Sequence, residues 1–252
     1  MNSLEVSLTP AEFAEIKSRD LGNTTCVVFD ILRATTSMTN ALANGAEAII
    51  PVSEISEAIA VYEKDNDVLL AGERHGHRIL KDQTGSVDFV FGNSPREFTA
   101  DKVAGKTIVT TTTNGTRALQ ACSGAKQVLI GSFLNLSAVA NWIAQNKPEN
   151  LLLVCAGTFE EAAYEDILAA GALADLVWAH YCAGKITDST HIARQIYQLS
   201  KRDLTGAMQF ARNGRTLMNV PDLRDDVAFC LRQNIFDFVA EMKGGRIRQI
   251  TK

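Results

Sequence analysis

Five prolines, five cysteines and an aromatic content of 7% in 252 residues exclude several protein classes at the outset. The prolines, with 17 glycines, are too few for a collagen-like or low-complexity chain. Cys26, Cys122, Cys155, Cys182 and Cys230 are odd in number and show no Cys-x-x-Cys or Cys/His zinc spacing. A disulfide framework and a zinc module are therefore not expected, and reduced thiols in the cytoplasm are. Positive charge is also lacking: 25 Lys and Arg stand against 29 Asp and Glu, a net charge of −4. Such a chain has no overall basic field to attract nucleic acid, and an anionic substrate would need local arginines. Long apolar runs are absent as well. The most apolar helix candidate, Ile167 to Ala183, is interrupted by Asp175 and His180 and is short for a bilayer span. No basic region precedes an apolar run at Met1–Glu5, so no signal peptide is expected. The expectation is a soluble cytoplasmic protein with no nucleic-acid or membrane partner; whether it forms a homo-oligomer is left open.

The chain is 46% hydrophobic, and at this length about 70% of the unfolded surface can be buried without disulfide or metal support. Short runs rich in β-branched residues recur at Thr24–Phe29, Ala48–Val52, Asp67–Leu70, Thr107–Thr110, Gln127–Ile130 and Leu151–Val154. Helical patterns at Arg33–Ala43, Ser53–Glu63, Thr116–Ala121 and Leu136–Gln145 separate several of them. This alternation predicts an α/β fold with a largely parallel sheet flanked by helices. Beyond Ala156 the pattern becomes helical, over Glu160–Cys182, His191–Leu199 and Asp203–Ala211, with short closing strands expected at Ile235–Val239 and Arg246–Ile250. No repeat or linker divides the chain, so residues 1–252 read as one domain with a helical C-terminal part.

Polar residues cluster just after the predicted strands. These segments are Asp30–Thr36, Ala71–Gly76, Thr111–Arg117, Gly131–Asn135 and Cys155–Thr158. In a parallel sheet they would emerge at one carboxyl edge, where open α/β sheets bind ligands. Helix capping alone would explain the Thr, Asn and Gly, but not Asp30, Glu73 and the arginines. Thr110–Thr116 runs from a strand through hydroxyls and Asn-Gly into a helix, a pattern that offers hydroxyl and N–H donors to an anion. Asn93-Ser94-Pro95 is similar, with Ser94 able to cap a helix that starts at Pro95. Asp30, Glu73, Glu165 and Asp166 are hard oxygen donors without a Cys/His cluster, a set suited to Mg²⁺.

Several known chemistries fail on spacing. Leu32 stands where an Asp-x-Asp phosphoaspartyl motif needs a carboxylate, and where a Cys-x5-Arg loop from Cys26 needs arginine; from Cys155 that position is Glu161. Gly105-Lys106-Thr107 enters a strand, not a helix, so it is no phosphate-binding Walker loop. Arg74-His75-Gly76 matches the tripeptide of histidine phosphatases, and a metal-independent enzyme using His75 is one alternative. A non-catalytic protein binding an anionic metabolite is another.

The ordered set of segments resembles the 2-phosphosulfolactate phosphatase family from Val28 to about Ile247. The resemblance rests on Asp30–Thr36, Ala71-Gly72-Glu73-Arg74, Gly92-Asn93-Ser94-Pro95, Thr112–Thr116, Gly131-Ser132-Phe133 with Asn135, Val154–Gly157, Glu165-Asp166 with Ala170-Gly171, and Asp226–Cys230. It implies an α/β fold and Mg²⁺-dependent hydrolysis of (2R)-2-phospho-3-sulfolactate to 3-sulfolactate and phosphate, a step of coenzyme M biosynthesis in some archaea. On this reading Asp30, Glu73 and Asp166 hold Mg²⁺, and Asp30, Arg33, Glu73 and Asn114 carry the chemistry. The small phosphorylated substrate is expected to be bound by Arg33, Arg74, Asn93, Ser94, Thr112, Thr113, Asn114, Gly115, Thr116 and Arg117.

Overall fold

The computed structural model describes residues 2–250. Its strands are β1 (Ser3–Ser7), β2 (Thr24–Phe29), β3 (Ala48–Pro51), β4 (Leu69–Arg74), β5 (His77–Arg78), β6 (Thr107–Thr111), β7 (Gln127–Gly131), β8 (Asn150–Cys155), β9 (Lys185–Ile186), β10 (Ala240–Lys243) and β11 (Arg246–Gln249). The first six α-helices are α1 (Phe13–Ser18), α2 (Ala34–Ala43), α3 (Ile55–Lys64), α4 (Lys81–Thr84), α5 (Ala100–Val103) and α6 (Gly115–Ala121). They are followed by α7 (Leu136–Asn146), α8 (Tyr164–Tyr181), α9 (Asp188–Ser200), α10 (Leu204–Ala207), α11 (Arg212–Met218) and α12 (Arg224–Cys230). The protein is α/β, with a mixed but mostly parallel sheet flanked by helices and a helical C-terminal part, as the alternation predicts. Each of the six β-branched runs seeds a strand, because such side chains pack well on a sheet buried on both faces.

The strand order is β5-β4-β6-β3-β11-β10-β7-β2-β8-β1-β9. Pairing is parallel from β4 through β6 to β3, and again from β7 through β2, β8 and β1 to β9. Between these blocks lies the β10–β11 hairpin, antiparallel to β7 on one side and to β3 on the other. Polarity therefore reverses three times, and the two parallel blocks run in opposite senses. The expectation of one shared carboxyl edge is corrected accordingly. The strand ends still meet because the sheet twists by roughly 20–25° per strand, which accumulates to about 90° over the four steps from β2 to β3. Helix α2 packs between the blocks. Its Ala34, Met38, Ala41 and Leu42 share one core with Ile49 and Ile108 of the first block and with Cys26, Val28, Val128 and Ile130 of the second.

A helix enclosed on all sides is usually apolar, yet α2 reads Ala-Thr-Thr-Ser-Met-Thr-Asn-Ala-Leu-Ala. Its buried hydroxyls are satisfied locally: Thr35 and Thr36 donate to the carbonyls of Asp30 and Ile31, and Thr39 donates to that of Thr35. Ser37 and Asn40 reach outward to the carbonyls of Asn93, Pro95 and Phe98, pinning the 93–98 loop against the helix. On the opposite face, α8 and α9 approach closely at Gly171, where an added Cβ would overlap the Ala193 carbonyl.

Four expectations need correction. Strand β4 continues through Ala71–Arg74, which reads as a loop, because pairing with β6 and β5 overrides the weak β preference of Ala-Gly-Glu-Arg. Strand β1 is too short and polar to be legible, but pairing with β8 and β9 buries Leu4 and Val6. The helix expected over Asp203–Ala211 stops at Ala207, and after extended Ala211 the chain starts α11. The closing strand expected at Ile235–Val239 lies instead at Ala240–Lys243. The apolar stretch before it packs as irregular chain, and Phe236 donates its N–H to the Leu134 carbonyl. Gly244 and Gly245, both at positive φ, make the two-residue turn that sets the hairpin register.

Candidate active site

A cavity of about 310 Å³ opens where β2, β4, β6 and β8 end. Asp30 follows β2 directly and is held in place by its own loop. Its Oδ1 accepts the Ala34 N–H at 3.0 Å, and its backbone N–H donates to Thr35 Oγ1 at 2.9 Å. Oδ2 accepts no hydrogen bond among the described residues and lies against Gly115, where an ideal Cβ would sit 2.7 Å from it and 2.9 Å from Ala34 Cβ. Only glycine lets the β6–α6 loop approach the carboxylate this closely. Burial pushes the Asp30 carboxyl up to about 7; the Ala34 N–H opposes the rise, and the charges of Glu73 and Glu165 add to it.

Glu73, on β4, reaches across to the β6–α6 loop. Its Oε1 accepts from the Thr113 N–H and hydroxyl at 3.1 and 3.0 Å, while Oε2 accepts the Gly76 N–H at 2.7 Å. Thr112 Oγ1 and Asn114 Oδ1 lie in the same loop, buried and without a hydrogen-bond partner. An unpaired buried polar atom costs about 1–3 kcal/mol, so unsatisfied atoms lining a cavity mark a ligand site.

Arg33 is 5% exposed and donates from Nη1 to Asp226 Oδ2 at 2.7 Å. Asp226, in α12 and fully buried, also accepts from Ser94 Oγ at 2.7 Å and Arg96 Nε at 2.8 Å. One carboxylate, shared by the Arg33 and Arg96 guanidinium groups, thus joins the loop after β2, the Asn93-Ser94-Pro95 segment and the C-terminal helices. The bond to Asp226 holds the Arg96 guanidinium pKa above its ordinary value.

The structure brings Asp30, Arg33, Glu73, Asn93, Thr112, Thr113 and Asn114 together along the cavity. Other expected site residues do not line it. Arg74 turns back to the Ser53 carbonyl and to Thr111 Oγ1. Arg117 pairs with Glu160 at the surface. Thr116 closes its own turn on the Thr112 carbonyl, Ser94 serves Asp226, and Gly115 contributes close approach only. Asp166, expected as a third metal ligand, instead accepts the N–H groups of Ile31 at 2.8 Å and Gly157 at 3.0 Å, tying the loops after β2 and β8 together. Burial, with Asp30 and Glu165 nearby, raises its carboxyl well above the usual range. His75 reaches the cavity but is exposed.

Sequence reasoning placed Gly157 and Thr158 at the ligand edge but missed Phe159 and the wall supplied by Arg212, Asn213, Thr216 and Leu217 of α11. The available cue was Arg212-Asn213-Gly214-Arg215, a polar cluster outside any apolar period.

The model of the family described as 2-phosphosulpholactate phosphatase matches residues 10–245. The chain belongs to the 2-phosphosulfolactate phosphatase family. A protein of Caldanaerobacter subterraneus named probable 2-phosphosulfolactate phosphatase is 39% identical, over 94% of this chain and 95% of its own. Relatives of the same name from Clostridium acetobutylicum and Thermotoga maritima are 36% and 34% identical, over 92% and 88% of this chain and 95% and 90% of theirs. No helix among the described residues is long and apolar enough to cross a membrane.

The resemblance to this family implies Mg²⁺, and the residues lining the cavity include oxygen donors of the kind such an ion takes. Asp30 Oδ2 and Glu73 are hard oxygen donors, and Thr112 Oγ1 and Asn114 Oδ1 are buried oxygens without partners. Mg²⁺ characteristically takes one or two carboxylates and completes its shell with water and substrate phosphate. Among the described residues no group of three or more His, Cys, Asp or Glu side chains is placed to hold a metal ion, so the shell would rest on the two carboxylates, the loop oxygens, water and substrate.

Proposed function

We propose that this protein is a cytoplasmic Mg²⁺-dependent phosphatase that hydrolyses 2-phospho-3-sulfolactate, or a closely related phosphorylated 2-hydroxy acid, releasing phosphate. One observation carries the reading: Asp30, its pKa raised by burial, stands with an unpartnered oxygen beside the Thr112–Asn114 loop and Arg33 in one small cavity. About 310 Å³ is at the small end for ligand pockets and suits a three-carbon substrate.

Asp30 and Glu73 would hold the ion, which when bound neutralises phosphoryl charge and orients the reacting oxygen. Arg33 presents the guanidinium N–H groups that Asp226 does not engage to the phosphoryl oxygens, and Asp226 keeps them oriented. The Thr112 hydroxyl fills its vacant hydrogen-bonding capacity by donating to the same group, while Asn114 Oδ1, which can only accept, would face the ion or the attacking water. Asp30 Oδ2 acts either as ligand or as nucleophile, and trapping of an aspartyl phosphate by borohydride separates the two roles. Five free cysteines support the cytoplasmic setting. Where coenzyme M is made, this reaction supplies its 3-sulfolactate.

The test is phosphate release across a panel of phosphorylated 2-hydroxy acids, with Mg²⁺ and after exhaustive chelation. Activity that needs the metal and favours 2-phospho-3-sulfolactate is expected. Full activity after chelation, lost in His75→Ala, would replace this reading with a histidine phosphatase. Binding without release over hours would leave an anion-binding protein.

A further inference from the structure

Resting on the phosphatase reading, we propose that Arg212 forms a second anion subsite at the mouth of the cavity, reading a charged arm of the substrate beyond its phosphoryl group. Among the described residues only Arg33 and Arg212 bring guanidinium groups to the cavity, against the carboxylates Asp30 and Glu73. Arg33 is buried and committed to Asp226 on one side, so a substrate carrying phosphate, carboxylate and sulfonate exceeds what it alone can neutralise. Arg74 and Arg117, the other arginines near these loops, are directed elsewhere.

The backbone of Arg212 is well anchored while its side chain is free to change partners. Its neighbour Asn213 donates to Thr158 Oγ1 and to Glu165 Oε1, both at 2.7 Å, fixing the start of α11 to the loop after β8. The guanidinium itself, with 43% of the side chain exposed, pairs with Glu161, 73% exposed, and bonds the Thr158 carbonyl at 3.0 Å. An ion pair this exposed contributes about 0–1 kcal/mol, so a substrate anion can displace Glu161 at little cost. The planar fork then matches a carboxylate or sulfonate through two hydrogen bonds. Phe159, at positive φ and with its ring 5.7 Å from the Arg212 guanidinium carbon, lies over the same mouth.

The experiment compares kcat/KM for 2-phospho-3-sulfolactate, 2-phospholactate (no sulfonate) and 2-phosphooxypropane-1-sulfonate (no carboxylate), in wild type, Arg212→Ala, Arg212→Lys and Glu161→Gln. Arg212→Ala is expected to lose at least about tenfold on the full substrate, chiefly through KM. Its preference over one truncated compound should shrink to within about threefold, and that compound names the arm that is read. Arg212→Lys should recover part of the preference, and Glu161→Gln should keep it or strengthen it. An active wild type whose preferences survive in Arg212→Ala, or an equal loss on all three compounds, would overturn this subsite alone. So would a Glu161→Gln variant that reproduces the alanine defect, since the pair would then only brace the loop. A wild type silent on all three compounds would overturn the phosphatase reading and the subsite together.

Discussion

Replacing Asp30 with asparagine should make the protein more stable and nearly inactive. Asparagine keeps the oxygen that accepts the Ala34 N–H and fits the same space beside Gly115, so the loop after β2 has no reason to move. In the wild type the carboxyl is raised from 3.8 to about 7, first by burial and then by Glu73 and Glu165. A folded-state pKa above the unfolded one means that the native protein holds this proton more tightly. Its contribution is present below about pH 4 and is lost as pH rises toward 7. At about 1.36 kcal/mol per pKa unit, the full loss is on the order of 4 kcal/mol. Asp30→Asn removes that titration and relieves Asp166, whose carboxyl is raised by burial and by the Asp30 charge. Urea unfolding without divalent cations should find the two proteins alike near pH 4 and the variant more stable by up to about 4 kcal/mol at pH 8. Mg²⁺ should raise wild-type stability at pH 8 and leave the variant unmoved. Turnover should fall by at least about a thousandfold, because the proposed role puts this charge in the transition state. A folded variant with near-wild-type turnover, or one less stable than wild type at pH 8, refutes the reasoning.

Asp226→Ala removes one member of a buried pair and strands the Arg33 guanidinium, so unfolding free energy should drop by about 3–5 kcal/mol. With Arg33 released, kcat/KM should fall by about a hundredfold; a stability loss under about 1 kcal/mol would show that the pair is not holding the guanidinium. Arg117→Ala, by contrast, deletes an exposed partner of Glu160 and should change stability by less than about 1 kcal/mol and kcat/KM by less than about twofold. A tenfold loss there would mean that Arg117 swings in to contact substrate.

Much of the site is local in sequence, which is why it is legible there. Asp30, Arg33, Thr112, Thr113 and Asn114 each follow a β-branched run that must end where its strand ends, and polar residues at that point belong to a loop near other strand ends. Residue type alone also signals the hard-oxygen donors and the Asn-Gly start of α6. The expected residues that fall outside the cavity share one cause. Arg74, Arg117 and Asp166 sit at the right places along the chain, but the direction of a long side chain depends on neighbours distant in sequence. Arg74 is drawn to Ser53 and Thr111, and Asp166 to the N–H groups of Ile31 and Gly157.

The six β-branched runs, the helices between several of them and the polar loops after them were determined by the sequence alone, since burial on both faces of a sheet requires that composition. Only tertiary structure decided that two parallel blocks of opposite sense are joined by the Ala240–Gln249 hairpin and curl over α2. It alone decided, too, that Asp226 orients Arg33 and that Arg212 completes the cavity wall. Residues 33 and 226 lie 193 positions apart, and no periodicity or spacing links them. They meet because a buried guanidinium must find a carboxylate, and the folded chain places one there.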